Sequence, residues 1–378
     1  MRITHLCLAG TVSDGYSYQE NLLLKYHSRM GHDVSLISSR WEYDTNYNLF
    51  KSDKYDYYYD GIHVIRLDIS NRDNLNNKFK RYKGVTESLQ TLSPEILFIH
   101  GCQFLDIVEV AAYLKKHKEV ITYLDNHADF SNSGRNFVSK YILHKFIWRS
   151  CLKKIAPYVK KFYGVLPARV SFLKDIYGAP AERCELLVMG GDDDYVDSSI
   201  VNRMRTREKY GIKKTQFLIV TGGKIDKAKA QTILLMEAVT RIQNASLIMF
   251  GPIEDSLKSK VDSFVDGAKI ISLGWASAQV AYDLFAASDL VIFPGRHSVY
   301  WEQAASVGVP MIVKFWTGTD HVNCGGNVLF LYEDSVDEIE SKILDVMGDT
   351  RKYNEMLSCA KEHMKSFLYS EIAKKSIQ

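Results

Sequence analysis

Two stretches carry residue types that can handle a phosphorylated ligand. "GGKIDKAK", Gly222–Lys229, follows the apolar run Phe217–Thr221. Glycines at a strand end let backbone approach a ligand, and Lys224 and Lys229 supply point charges that suit a diphosphate. The plainer alternative is a pair of solvated surface lysines. "FPGRHSVYWEQAASVGVPMIV", Phe293–Val313, places Arg296, His297 and Ser298 before a helix-like stretch that carries Glu302 and stops at Gly308. Ser298 is expected to cap that helix, whose N-terminus would attract an anion. Glu302, slightly deeper, would repel phosphate but accept two hydrogen bonds from a sugar diol. Together the two loops fit a nucleoside diphosphate, with phosphates at the lysines and helix tip and ribose at Glu302; the alternative for Glu302 is an ordinary exposed helix residue.

Such loops need strand ends to hold them. Apolar runs bounded by turn residues occur at Ile3–Ala9, Val34–Ser38, His63–Leu67, Ile96–His100 and Val120–Leu124. Helical patterns such as Tyr18–Met30 and Leu105–Lys116 lie between them. A second set comprises Phe217–Thr221, Ser246–Phe250, Lys269–Leu273, Leu290–Phe293 and Pro310–Lys314. Strands alternating with helices imply βαβ units and parallel sheets, here two Rossmann-like α/β domains facing across a cleft. The expected bounds are 1–190 for an acceptor domain, 191–355 for a donor domain, and 356–378 for a terminal helix returning toward the first. Polar Gly190–Arg207 reads as the linker.

Composition narrows the class. The 378 residues are 46% hydrophobic and 25% charged, as in soluble globular proteins, and a net charge of +3 argues for no nucleic-acid partner. No apolar run approaches the roughly 18–20 residues of a membrane span, and no signal peptide is expected. The six scattered cysteines form no CxxC and read as reduced thiols, which excludes a zinc-ribbon arrangement. No GxGxxG opens either half, so a dinucleotide fingerprint is absent. One charge feature is unusual. No Asp or Glu occurs from Phe130 to Lys174, while Arg135, Lys140, Lys145, Arg149, Lys153, Lys154, Lys160, Lys161, Arg169 and Lys174 alternate with aromatic and aliphatic residues. A basic helix with an aromatic face can lie on anionic lipid; it can equally be a packed helix with a solvated face.

The order "GGKIDKAK", "LIMFGP", "IISLGW", "ASDLVIFPGRHSVYWEQAASVGVPMIV" resembles the donor domain of retaining GT-B glycosyltransferases of family four. Lys224 falls on that family's loop arginine, Lys229 on its loop lysine, and Glu302 on the second of its paired glutamates, which binds ribose hydroxyls. The first glutamate is missing: Pro294 stands eight residues before Glu302, and the intervening loop is about four residues short, leaving His297 or the backbone near Gly295 to take its place. The resemblance covers almost the whole chain and is most specific over Phe217–Val313. It implies donor binding by Gly223, Lys224, Lys229, Trp275, Arg296, His297, Ser298 and Glu302.

In the N-terminal half, the family's first loop closes over the cleft, for which Gly15, Tyr16 and Ser17 supply flexibility, and the resemblance assigns Gly15 and Tyr16 to acceptor binding. "TYLDNHADF" places His127 where the family often has a histidine reaching the donor sugar. Asp125 and Asp129 flank it and would orient the ring or bind an acceptor hydroxyl. His127, Lys229 and Glu302 are therefore the expected catalytic set. The run Asp192–Asp194 resembles the metal motif of the other major glycosyltransferase fold, but it sits at the domain junction, and no metal or cofactor is expected.

These readings converge on a cytoplasmic transferase, peripheral on the inner membrane face through 135–174. It would move a sugar, with retention, from a nucleotide-diphosphate sugar (UDP ahead of GDP) to a saccharide or lipid-linked saccharide in surface polysaccharide or glycoconjugate synthesis. A nucleotide-sugar epimerase or phosphorylase on the same fold, or a non-catalytic binding subunit, are the alternatives.

Overall fold

The computed structural model describes residues 1–44, 48–70, 79–133 and 138–378. The chain divides into two compact units, one of Met1–Val188 with Ile372–Gln378, the other of Met189–Glu371. Residues 356–371 thus group with the second unit and the last seven with the first.

The first unit is built on β1 (Arg2–Cys7), β2 (Asp33–Ser39), the short pair β3 (Trp41–Tyr43) and β4 (Leu49–Lys51), then β5 (Asp56–Tyr59), β6 (Ile62–Leu67), β7 (Ile96–His100), β8 (Ile121–Asn126), β9 (Val159–Gly164) and β10 (Cys184–Leu186). Its main sheet runs β10-β9-β8-β7-β1-β2-β6-β5, parallel except where β5 turns back on β6. β7 is buried at every residue, as expected of a strand covered on both faces. The β5–β6 turn is Asp60-Gly61, both at positive φ (49° and 77°), the backbone that a two-residue hairpin requires.

The second unit holds β11 (Phe217–Gly222), β12 (Ala245–Phe250), β13 (Ile270–Ser272), β14 (Leu290–Phe293), β15 (Met311–Lys314) and β16 (Val328–Leu331). All pair in parallel in the order β13-β12-β11-β14-β15-β16. Ile219, Leu247, Ile292 and Ile312 from four of these strands meet in one buried core with Ile233, Met236 and Val239 of the helix Gln231–Arg241.

The expected linker is instead ordered structure. Residues 190–207 form most of two helices, Asp193–Val201 and Arg203–Lys209. The aspartate run has a local reason: the Asp192 side chain accepts from the Asp194 amide as N-cap, and Asp193 and Asp194 lie in the first turn, where negative charge is favoured. Buried Arg207 ties the second helix to Asp289 at 3.0 Å. No helix among the described residues is long and apolar enough to cross a membrane.

Candidate functional site

In a parallel sheet, ligands bind beyond the carboxyl ends of the strands where the strand order reverses. In the second sheet that point lies between β11 and β14, which are neighbours despite two intervening strands in sequence. The loops following them are the two lysine and histidine loops singled out above.

The β11 loop is shaped by glycine. Gly223 has φ +118°, and Gly251, after β12, has φ +125° and packs so closely that a side-chain carbon there would lie 2.2 Å from the Gly223 carbonyl. Both positions favour glycine for their conformation, and Gly251 also for space. Lys229 closes a short turn, Lys227–Lys229, capped by Asp226. Burial pushes its ammonium pKa down, against the opposing pull of Asp226, and it makes no ion pair among the described residues. A half-desolvated, unneutralised ammonium is suited to an anion. Lys224 is exposed, 3.9 Å from Asp226. Gly295 of the β14 loop packs against Lys229: a carbon added to it would lie 3.3 Å from Lys229 Cα. The two loops are therefore one surface.

Glu302 differs from expectation. It is fully buried on the helix Tyr300–Ser306, which removes the exposed alternative, but one of the two oxygens expected to meet a diol is already taken. Its Oε1 accepts from His297 Nε2 at 2.9 Å and from His321 Nε2 at 2.7 Å. Burial alone would raise this carboxyl's pKa; the two imidazoles outweigh that and hold it well below the usual carboxylate range. Oε2 is buried with no hydrogen-bond partner among the described residues, so one oxygen, not two, is left unpaired. His321 lies in the loop after β15, and nothing in its spacing marked it. His297, Glu302 and His321 are also a donor set able to surround a metal, their ligand atoms all within 4.8 Å. At 2.7 and 2.9 Å, however, the two contacts to Oε1 have the length of N–H···O bonds, whereas ligands about 2.0–2.2 Å from one zinc sit roughly 3.3 Å apart.

Ser298 does not cap the helix. The cap position is Val299, no side chain caps it, and Ser298 Oγ is buried without a partner. The Ser298 carbonyl instead accepts the Trp301 amide at 3.0 Å. Arg296 points outward and is exposed. Trp275, 70% exposed, follows β13 at the same sheet edge.

The first sheet reverses between β1 and β7. A cavity of about 390 Å³ opens there, lined by Gly10, Lys80, His100, Gln103, His127 and Ser133 among others. His127 Nε2 lies 3.5 Å from Oδ2 of Asp125, which is wholly buried. Burial works against the charged imidazole, but the Asp125 carboxylate outweighs it and raises the His127 pKa. Of the two roles considered for Asp125, orienting the ring is the one its burial permits. Asp129 is spoken for as well. Its Oδ2 takes Arg169 at 3.0 Å, and its Oδ1 accepts from Ser131 and Asn132 within its own turn. An acceptor-binding role for Asp129 is thereby displaced by a structural one. Gly15 and Tyr16 do not line this cavity; Tyr16 Oη donates to the Asp44 carbonyl at 2.5 Å, and neighbouring Asp14 is held by buried Arg66 at 2.8 Å. That loop is anchored on both sides of Gly15. Lys80, whose ammonium donates to the Ala9 carbonyl, and Gln103 were not singled out from sequence. Arg135 and Phe137, at the start of the basic stretch, lie outside the described residues.

Neither a family model nor a curated protein matches the chain. Solved structures do. Sucrose-phosphate synthase from Thermosynechococcus elongatus matches with a TM-score of 0.67 at 13% identity, over 99% of this chain and 96% of that one. A glycosyltransferase from Rickettsia africae gives 0.67 at 15%, over 99% and 96%. Anabaena HepE, solved with UDP and glucose, gives 0.63 at 15%, over 99% and 98%. At these identities the likeness concerns the fold: the chain adopts the two-sheet α/β architecture named GT-B.

Proposed function

We propose that the protein is a glycosyltransferase that moves a sugar from a nucleotide-diphosphate sugar to a saccharide or lipid-linked saccharide. The observation that carries this reading is the shared surface of the Lys229 and Gly295 loops at the switch point of the second sheet, in a chain with the GT-B fold. The nucleotide is assigned to that surface, diphosphate at Lys229 and Lys224, ribose toward the unpaired Oε2 of Glu302. UDP is favoured, since HepE was solved with it. The acceptor is assigned to the cavity beside His127. In the reaction the acceptor oxygen bonds to the anomeric carbon, the bond to the diphosphate breaks, and the hydroxyl proton passes to the leaving phosphate. With retention, attack and departure share one face, and the protein contributes positioning and charge stabilisation through Lys229. No metal is required by this scheme. The setting is assembly of a surface polysaccharide or glycoconjugate on the cytoplasmic side of a membrane.

The nucleotide assignment is tested by titrating UDP and uridine against the wild type and Lys229→Ala. A hydrogen bond to a charged group is worth roughly 1.5–3 kcal/mol, so the variant should bind UDP about 10- to 150-fold more weakly and uridine almost unchanged. Equal losses for both ligands would give Lys229 a structural role instead.

Membrane contact has a narrower basis than the charge run implied. Arg169 is paired with Asp129, Lys161 with Glu185 at 2.9 Å, and Lys160 donates to the Gln378 carbonyl at 2.6 Å. Among the described residues of this stretch Lys153, Lys154, Lys160 and Lys174 are exposed, with Ile142 and Phe146 exposed by 47% and 70% beside Lys145. Lys145→Glu, Lys153→Glu and Lys154→Glu together should weaken binding to phosphatidylserine vesicles by about 100-fold, at about 1 kcal/mol per charge near the surface. Wild-type protein that ignores such vesicles at low salt would end the membrane proposal.

A further inference from the structure

Behind Asp125 runs a file of three buried histidines that the proposed reaction does not use. His5, on β1, stands in the middle, with Nδ1 2.9 Å from His100 Nε2 and Nε2 3.0 Å from His27 Nδ1. At one end His100 Nδ1 lies 2.8 Å from Asp125 Oδ2. At the other, His27 Nε2 lies 3.0 Å from Ser376 Oγ and 3.1 Å from the Ala373 carbonyl. His5 and His27 have no solvent exposure and His100 has 3%. All of these residues belong to the first unit.

The hydrogens in this file follow from its ends. A carboxylate only accepts, so His100 Nδ1 carries a hydrogen. In a neutral ring Nε2 is then bare, and His5 Nδ1 must donate to it. His5 Nε2 is bare in turn, and His27 Nδ1 must donate. His27 Nε2 then accepts from the Ser376 hydroxyl at 3.0 Å, which in this arrangement turns to it from the Ala373 carbonyl 2.8 Å away. One hydrogen per ring satisfies every link between Asp125 and Ser376, while bare His27 Nε2 faces the Ala373 carbonyl at 3.1 Å with no hydrogen between them, and all three rings hold the Nδ1–H tautomer. Adding a proton would make one ring an imidazolium in a dry core. Burial opposes this, keeping the His5 pKa well below its ordinary value and that of His27 down at about 4. His100 thus gives Asp125 a hydrogen bond at 2.8 Å, and the same carboxylate oxygen also faces His127 at 3.5 Å.

We propose that His100, held in its tautomer by His5, His27 and Ser376, is a positioning residue: its fixed N–H locks Asp125 so that His127 turns Nε2–H inward and presents Nδ1 to the cavity. In the neutral ring that Nδ1 is bare and accepts a hydrogen bond from a sugar hydroxyl; in the imidazolium it donates one instead. The catalytic consequence rests on the transferase reading, whereas the tautomer pattern does not.

Long-range proton–nitrogen NMR of the full chain with labelled histidine tests the pattern at neutral pH without substrate. The expected result is Nδ1–H for His5, His27 and His100, the minority form for histidine in water, and Nε2–H for His127. Nε2–H at His5 or His100 would overturn the proposal. In the transfer assay, His100→Phe should lower kcat about 10- to 150-fold, the factor for one hydrogen bond to a charged group, with KM for the donor unchanged. His100→Asn, whose amide N–H stands where Nδ1–H stood, should recover most of it. Wild-type kcat in a folded His100→Phe would also overturn the proposal. Since the tautomer readout needs no turnover and no variant, it decides the proposal even if the chain transfers no sugar or His100→Phe does not fold.

Discussion

His127→Ala is expected to lower turnover about 100-fold or more while the affinity for the nucleotide changes less than twofold. The magnitude is the lower end of what a side chain positioned on the reacting region contributes. The asymmetry follows from placement: His127 lines the cavity of the first sheet, while the nucleotide is assigned to the second. Loss of kcat without loss of nucleotide binding marks an interaction made near the transition state. Asp125→Asn should produce a smaller fall in the same direction, since it leaves His127 in place but removes the charge facing it. Steady-state kinetics and nucleotide titration separate the two parameters. A His127→Ala enzyme with wild-type turnover would remove His127 from the reaction.

The second large effect concerns Glu302. Glu302→Ala should cost about 2–6 kcal/mol of stability, because the His297 and His321 N–H groups lose their shared acceptor, at about 1–3 kcal/mol each, and a void opens. Urea unfolding measures this. The pH sign is set by the depressed carboxyl: its contribution is complete above the ordinary carboxylate value of 4.5 and is lost as pH falls toward the lower folded value. Glu302→Gln keeps the volume and isolates the ligand contact. It should weaken nucleotide binding about 10- to 150-fold, and it should scarcely distinguish ribo- from dideoxyribonucleotides, because both changes delete one interaction. Full additivity of the two losses would place the ribose elsewhere.

The fold was largely legible because buried parallel strands are long apolar runs, and ten such runs mark ten of the strands. β9 was hidden by Lys160 and Lys161, which project from an edge-ward strand and made Val159–Gly164 read as part of a basic helix. β10 and β16 are too short or too near the edge to show a full apolar run. The second helical patch, 193–209, looked like a linker because polar residues dominate it; only Val196 and Ser199 of the first helix and Thr206 and Arg207 of the second turn inward. The lysine and glutamate loops were legible because glycine and charge at strand ends have few structural uses. His321, Lys80 and the file His27–His5–His100 were not, because they join residues from loops and strands far apart in sequence. Asp129 and Ser298 were misread for the opposite reason: each has a local backbone or turn role that sequence spacing alone makes look like chemistry.

The central claim is that this chain cleaves the bond between a sugar and a nucleoside diphosphate and passes the sugar on. The direct measurement is release of nucleoside diphosphate from a panel of UDP-, GDP- and ADP-sugars, with and without saccharide acceptors. The account predicts slow release of UDP from one UDP-sugar by the wild type, acceleration by a suitable acceptor with the sugar recovered in a glycoside, and loss of both in Lys229→Ala. Folded wild-type protein that neither binds nor cleaves any member of the panel would contradict it.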